Sequence, residues 1–225
     1  MSLHLDPPWL AYDLGAPHQV LSWAPYRPGF QTARRILWRQ VRNADLPADL
    51  DVPRWLAQQL GTQEVVCMLT SRDLRAHSTA RACVEGITVE AVATVGLSNS
   101  EQVGHRLDRS GRDWDREVAP ARFGTINLAV KLGAAMSQTG LLEALSIATQ
   151  ARTAAILTAR HPLPDGSGHA TGTGTDCIAI AAPPGAQDYA GLHTPLGEAL
   201  GRAVYTATLA GARDWQATIG PASGG

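Results

Sequence analysis

The chain has 225 residues, enough for one substantial domain with a single core. Apolar residues make up 44% and charged residues 17%, which excludes a disordered chain and fits a globular enzyme. A formal net charge of −1 leaves no basic excess of the kind on which nucleic-acid binding depends.

Lys131 is the only lysine, so the many Arg residues read as base bias in the coding sequence rather than phosphate recognition. Cys67, Cys83 and Cys177 are widely spaced, form no CxxC pair and lie in or near apolar stretches. Buried free thiols in a reducing compartment are expected. Asp6, Pro7 and Pro8 interrupt the start where a signal peptide would need an apolar run, and no stretch approaches the ~20 apolar residues of a membrane span. The expectation is a cytoplasmic protein with neither a nucleic-acid nor a membrane partner.

In chain order, residues 1–30 hold Trp9, Trp23 and Tyr26 among turn residues and read as an irregular or edge-strand arm packed on the domain. Arg35 to Val41 reads as a strand. Asp51 reads as an N-cap, with Pro53 early in a helix that runs to Leu60 and Gly61 just beyond its end. Glu64–Thr70 and Ile87–Leu97 read as strands, and 104–120, charged and bounded by Gly and Pro, as an exposed loop. Thr125–Leu132 is a fourth strand. Gly140–Gln150 then reads as a helix, and Thr153–Leu157 and Asp176–Ala182 as strands. Thr194 caps a last helix from Pro195 to about Ala210. The expected fold is a single α+β domain with mixed β-sheet and packed helices. Its element order fits two pseudo-repeated β-α-β-β halves. The expected division is an arm at 1–30, a catalytic domain at 31–219 and a flexible tail at 220–225.

The stretch Ala170-Thr171-Gly172-Thr173-Gly174-Thr175-Asp176 precedes an apolar strand. Its glycines let backbone approach a ligand, its hydroxyls donate and accept, and the acid closes the loop. A flexible turn ended by a capping Asp is the plainer account. Further on, His193 precedes a helix start, and Glu198 sits in the first turns above Arg202. That places proton-moving groups at an anion-favouring helix N-terminus, although Glu198 also suits a dipole-complementing surface pair. Asn127, in Gly124-Thr125-Ile126-Asn127, has groups that can orient an amide. His77, His105, His161 and His169 show no ligand spacing and read as exposed, so no metal site is expected.

Taken in order, GTIN (124–127), ALSIATQARTAAI (144–156), ATGTGTDCI (170–178) and AGLHTPLGEALGRAV (190–204) resemble the adenosylcobinamide amidohydrolase family. TVGLSNSEQVG (94–104) is similar to that family's Gly-Leu-Ser-Asn turn. Gln150-Ala151-Arg152 stands where the family usually has Glu-Ala-Lys, which argues against Gln150 as a catalytic acid. The resemblance implies hydrolysis of a linear amide of adenosylcobinamide in corrinoid salvage, giving adenosylcobyric acid, with adenosylpseudocobalamin as a second substrate. The partner is then a corrinoid small molecule. The enzyme needs no cofactor of its own, because the cobalt belongs to the substrate. Carried onto this chain, the motifs imply catalysis by Asp176, His193 and Glu198. They imply substrate binding by Asn99, Thr125, Asn127, Gly172, Thr173, Gly174 and Thr175. Asp176 or Glu198 would activate water and His193 would protonate the leaving amine, with a covalent route through Thr173 or Thr175 as the alternative. A corrinoid-binding protein without turnover and a nucleotide-dependent transferase are the competing classes.

Overall fold

The computed structural model describes residues 1–47, 49–106 and 124–219. Strand β1 (Ser2–Asp6) turns through Pro7-Pro8 into β2 (Trp9–Ser22), which pairs antiparallel with β3 (Gly29–Gln40). Helix α1 (Val52–Leu60) leads to β4 (Val65–Thr70), parallel to β3. Then come β5 (Ser78–Val84), β6 (Ile87–Val95), the short β7 (Ser100–Glu101) and β8 (Ile126–Leu132). Helix α2 (Gln138–Ala159), the short β9 (Gly172–Thr173), β10 (Cys177–Ala182) and helix α3 (Pro195–Thr218) complete the chain. The main sheet runs β4-β3-β2-β10-β8-β6-β5, with β1 beside β2, and only the β3–β4 and β10–β8 pairs are parallel. The architecture is a single α+β domain on a mixed sheet.

Two kinds of surface shape that sheet. Ile126, Leu128, Val130, Ile178 and Ile180 face α2 and α3 and form the larger core with them. The opposite faces of β8 and β10 carry small residues, Ala129, Ala179 and Ala181, and over these close the large Tyr12, Trp38 and Met68 of β2, β3 and β4. The sheet therefore curls over itself. In a flat sheet β4 and β8 would lie four strand spacings apart, about 19 Å, yet Asn127 Nδ2 of β8 donates to Leu69 O of β4 at 2.5 Å. Helix α1 covers the outer side of the β3–β4 layer with Leu56 and Leu60. No helix among the described residues is long and apolar enough to cross a membrane.

Several sequence expectations hold. Asp51 caps α1 by accepting from Arg54 N, Gly61 follows with φ +58°, and Thr194 caps α3 by accepting from Gly197 N. Residues 126–132 and 177–182 are strands.

Others need correction. Residues 1–30 are no edge arm: β2 sits inside the sheet between β3 and β10, and its alternating Leu10, Tyr12 and Leu14 supply core. Residues 153–157 are not a strand but the last turns of α2. No Gly or Pro interrupts the run from Leu141, and Leu141, Ala144, Ala148, Ala151 and Ala155 keep helical spacing against the core until Arg160 turns left-handed at φ +53°. Without that strand the second β-α-β-β half is not formed among the described residues, and the pseudo-repeat is not confirmed. Strand β5 carries little apolar signal, because its inward residues, Ser78, Ala80, Ala82 and Val84, are mostly small and only half-buried. The Glu85-Gly86 pair at φ +47° and +82° marks its hairpin with β6. Cys83 on β5 is exposed, whereas Cys67 and Cys177 are buried. His161 is buried edge-on against Trp215 rather than exposed. The loop expected at 104–120 lies outside the described residues from 107 onward, as does the tail at 220–225.

Helix α2 makes a direct test. Ala154 is exposed in its third quarter. Proline there removes a helical hydrogen bond and clashes with the preceding turn, so Ala154→Pro should cost about 3 kcal/mol or more. Were residues 153–157 an edge strand, a thermal melt would show a far smaller loss.

Candidate active site

Parallel strands β8 and β10 begin side by side, with Cys177 opposite Asn127, and the end of β6 lies next to β8, with Val95 opposite Ile126. The segments flanking these ends therefore converge. Two of them, Gly96 and Gly124, cross in backbone contact: a Cβ on Gly96 would come 2.6 Å from Gly124 Cα, so only glycine fits.

The loop from Ala170 to Asp176 is no flexible turn. On one side it is bonded to the segment after β6, through Thr171 N to Glu101 O at 2.9 Å, Gly174 N to Asn99 O at 3.0 Å and Val103 N to Thr171 Oγ1 at 2.8 Å. On the other it is latched by its own acid. Asp176 Oδ1 accepts from Thr173 N at 3.1 Å, from Ile126 N at 3.3 Å and from the Thr173 hydroxyl. The guanidinium of Arg152, from α2, ion-pairs with Oδ2 and donates to Thr171 O at 3.1 Å. Gly172 makes the approach of Arg152 possible, since a Cβ there would lie 2.6 Å from Asp176 Oδ2 and deeper still in the guanidinium.

Only 8% of the Asp176 side chain is exposed. Burial pushes its carboxyl above the ordinary range, while Arg152, Thr173 and Ile126 pull the other way. The exposed remainder opens on a cleft of about 360 Å³. Its lining is apolar at Trp23, Pro25, Val41, Leu46 and Leu69, and polar at Arg42, Thr70, Ser71, Asn99, Thr125, Asn127, Thr175 and Asp176. Among the described residues that line it, Asp176 is the only carboxylate. Cys177 also lines the cleft, but burial pushes its thiol up to about 12, so it is no thiolate near neutral pH.

The remaining expected residues divide sharply. Thr125 Oγ1 donates to Thr175 O at 2.7 Å and Asn127 Nδ2 to Leu69 O at 2.5 Å, and both residues line the cleft. Asn99 Nδ2 reaches Thr175 Oγ1 at 3.4 Å on its polar rim. His193 and Glu198 are elsewhere. Beyond the far end of β10, Met136 bridges to Pro184 and Gln187, and Glu143 of α2 accepts from Ala190 N at 2.6 Å. His193 follows there, exposed, and Glu198 ion-pairs with Arg202 on the surface. The six residues of β10, about 20 Å of strand, thus separate His193 from Asp176.

Arg152 and Trp23 are among the residues of the site that the sequence did not single out. Arg152 was visible only as the last residue of Gln150-Ala151-Arg152, and Trp23 only as an aromatic among turn residues. Among the described residues, no group of three or more His, Cys, Asp or Glu is placed to hold a metal ion.

The buried pair sets a stability test. Removing one partner leaves an uncompensated buried charge, so Arg152→Met should cost about 3 kcal/mol or more. That loss lowers Tm by roughly 6–12 °C for a chain of this size. An unchanged melt would mean that solvent reaches Asp176 freely.

A family model of adenosylcobinamide amidohydrolases matches residues 2–219. No curated protein matches the chain. The matched span takes in every strand and helix from β1 to α3, and with it the latched loop and its cleft, so the chain belongs to the adenosylcobinamide amidohydrolase family.

Proposed function

We propose that the cleft at Asp176 hydrolyses the amide joining the corrin side chain to the aminopropanol arm of adenosylcobinamide. The products would be adenosylcobyric acid and 1-amino-2-propanol. Adenosylpseudocobalamin, which carries the same amide, is the second substrate of this reading. The observation that carries it is the position of one carboxylate on a rigid polar loop at the cleft wall, with no other proton-exchanging group near neutral pH among the described residues lining it.

Amide hydrolysis needs a base for water, donors for the carbonyl oxygen and an acid for the leaving nitrogen. In the proposed sequence Asp176 takes a proton from water as the water oxygen attacks the carbonyl carbon. The same carboxyl then returns that proton to the nitrogen as the C–N bond breaks. The Asn99 amide and the Thr175 hydroxyl stand on the rim where the carbonyl would lie. A pKa raised by burial suits this double use, because the group can both take and give a proton closer to neutrality. A protein that only sequesters corrinoid needs no acid in the cleft.

Asp176→Asn should lower kcat by roughly 10²-fold or more while the protein keeps its circular dichroism. His193→Ala and Glu198→Gln, at the other end of β10, should leave kcat within about threefold. A large loss in either variant, with Asp176→Asn near normal, would move the chemistry to the helix N-terminus.

The pH profile is a second check. A base works deprotonated, so kcat/KM should fall as pH drops through the titration of Asp176. Because the carboxyl is raised, that limb should lie above the ordinary ~3.9 of an aspartate. A flat profile down to pH 4 would exclude Asp176 as the base.

A further inference from the structure

We propose that Trp23 is a binding platform on which a flat conjugated face of the substrate stacks while the amide arm enters the cleft. The proposal rests on the amidohydrolase reading and adds to it how the bulk of the substrate is held. Pockets that enclose drug-sized ligands run from about 300 to 1,000 Å³, and an adenosylated corrinoid is much larger than a drug. A cleft of about 360 Å³ admits the amide arm alone. The macrocycle must stay on the rim.

Trp23 is the large aromatic surface at that rim. Its side chain lines the cleft, yet the residue is 47% exposed. It is also held rigidly. Its Nε1 donates to Asp176 O at 2.7 Å, and its neighbours Ser22 and Ala24 are buried, with Ala24 N donating to Ser22 Oγ at 2.9 Å. Two residues on, Tyr26 is bridged to Cys67 of β4. An indole whose one polar atom is satisfied inward offers its remaining surface to an apolar, planar partner at little cost in side-chain entropy. Pro25 and Leu46 continue the apolar lining beside it. The bond from Trp23 to the backbone of Asp176 also fixes the distance between the platform and the acid.

Either the corrin ring or the adenine of the axial ligand supplies such a face. The test compares Trp23→Ala and Trp23→Phe with the wild type in turnover of adenosylcobinamide. It also measures equilibrium binding of adenosylcobinamide and of cyanocobinamide, which lacks the adenine. Trp23→Ala should raise KM roughly tenfold, the lower range for loss of an aromatic stack, with kcat within about threefold. Trp23→Phe, which keeps a flat ring but no N–H, should recover most of the loss. Weakened binding of both corrinoids by Trp23→Ala assigns the corrin ring, and weakening of adenosylcobinamide alone assigns the adenine. Unchanged KM and binding would overturn the proposal. So would equal loss of kcat in both variants at constant KM, which would make Trp23 a brace for Asp176. If the wild type binds corrinoid but releases no 1-amino-2-propanol, the hydrolytic reading fails and the binding comparison alone decides the platform. A wild type that binds neither corrinoid overturns both.

Discussion

Asp176 joins four parts of the chain: its carboxylate holds its own loop at Thr173, the start of β8 at Ile126 and helix α2 through Arg152, and its backbone carbonyl accepts from Trp23 of the N-terminal region. Burying a carboxylate is costly unless donors replace its water. Here two backbone N–H groups, a hydroxyl and a guanidinium do so. Because the donors come from the loop itself, from β8 and from α2, the loop is fixed only when all three are in place. Gly172 is part of the same constraint, since any side chain there would occupy the path of Arg152.

The curl of the sheet supplies the opposite wall. Alanines on the inner faces of β8 and β10 let β2, β3 and β4 close down with Tyr12, Trp38 and Met68, large residues against small ones. This closure brings the end of β4 over β8, where Asn127 ties it down. Thr70 and Ser71 thereby come to face Thr175 and Asp176 across the cleft. The Asn that reads as amide-binding in sequence thus also holds the walls together through its Nδ2, while lining the cleft.

Local signals were legible where local physics decides. The caps at Asp51 and Thr194 and the apolar runs of β8 and β10 need no tertiary information. Where packing decides, the sequence misleads. β2 resembles an arm because Gly15 and Pro17 punctuate it, and there the β2–β3 register shifts between Asp13 and His18. Thr153–Leu157 has strand-like composition but continues the buried face of α2. The loop acid was legible from its chemistry, yet its partner Arg152 was not, because an ion pair between residues 152 and 176 depends on where α2 crosses the sheet. Equally, His193 is 17 residues from Asp176 in the chain, but β10 intervenes and the two lie beyond its opposite ends.

That separation has a consequence for how such a site would use its substrate. A cleft that takes only an amide arm has few groups with which to bind it, so affinity must come from the part that stays outside. Binding energy gathered on a rim can hold a scissile bond against a fixed acid, provided the rim and the acid cannot move independently. The indole of Trp23 and the backbone of Asp176 share one hydrogen bond, and the carboxyl of Asp176 is fixed to β8 and α2. On the proposed reading, the rigidity of the loop is therefore not only a matter of stability: it converts contact with a large, distant face into placement of a single amide.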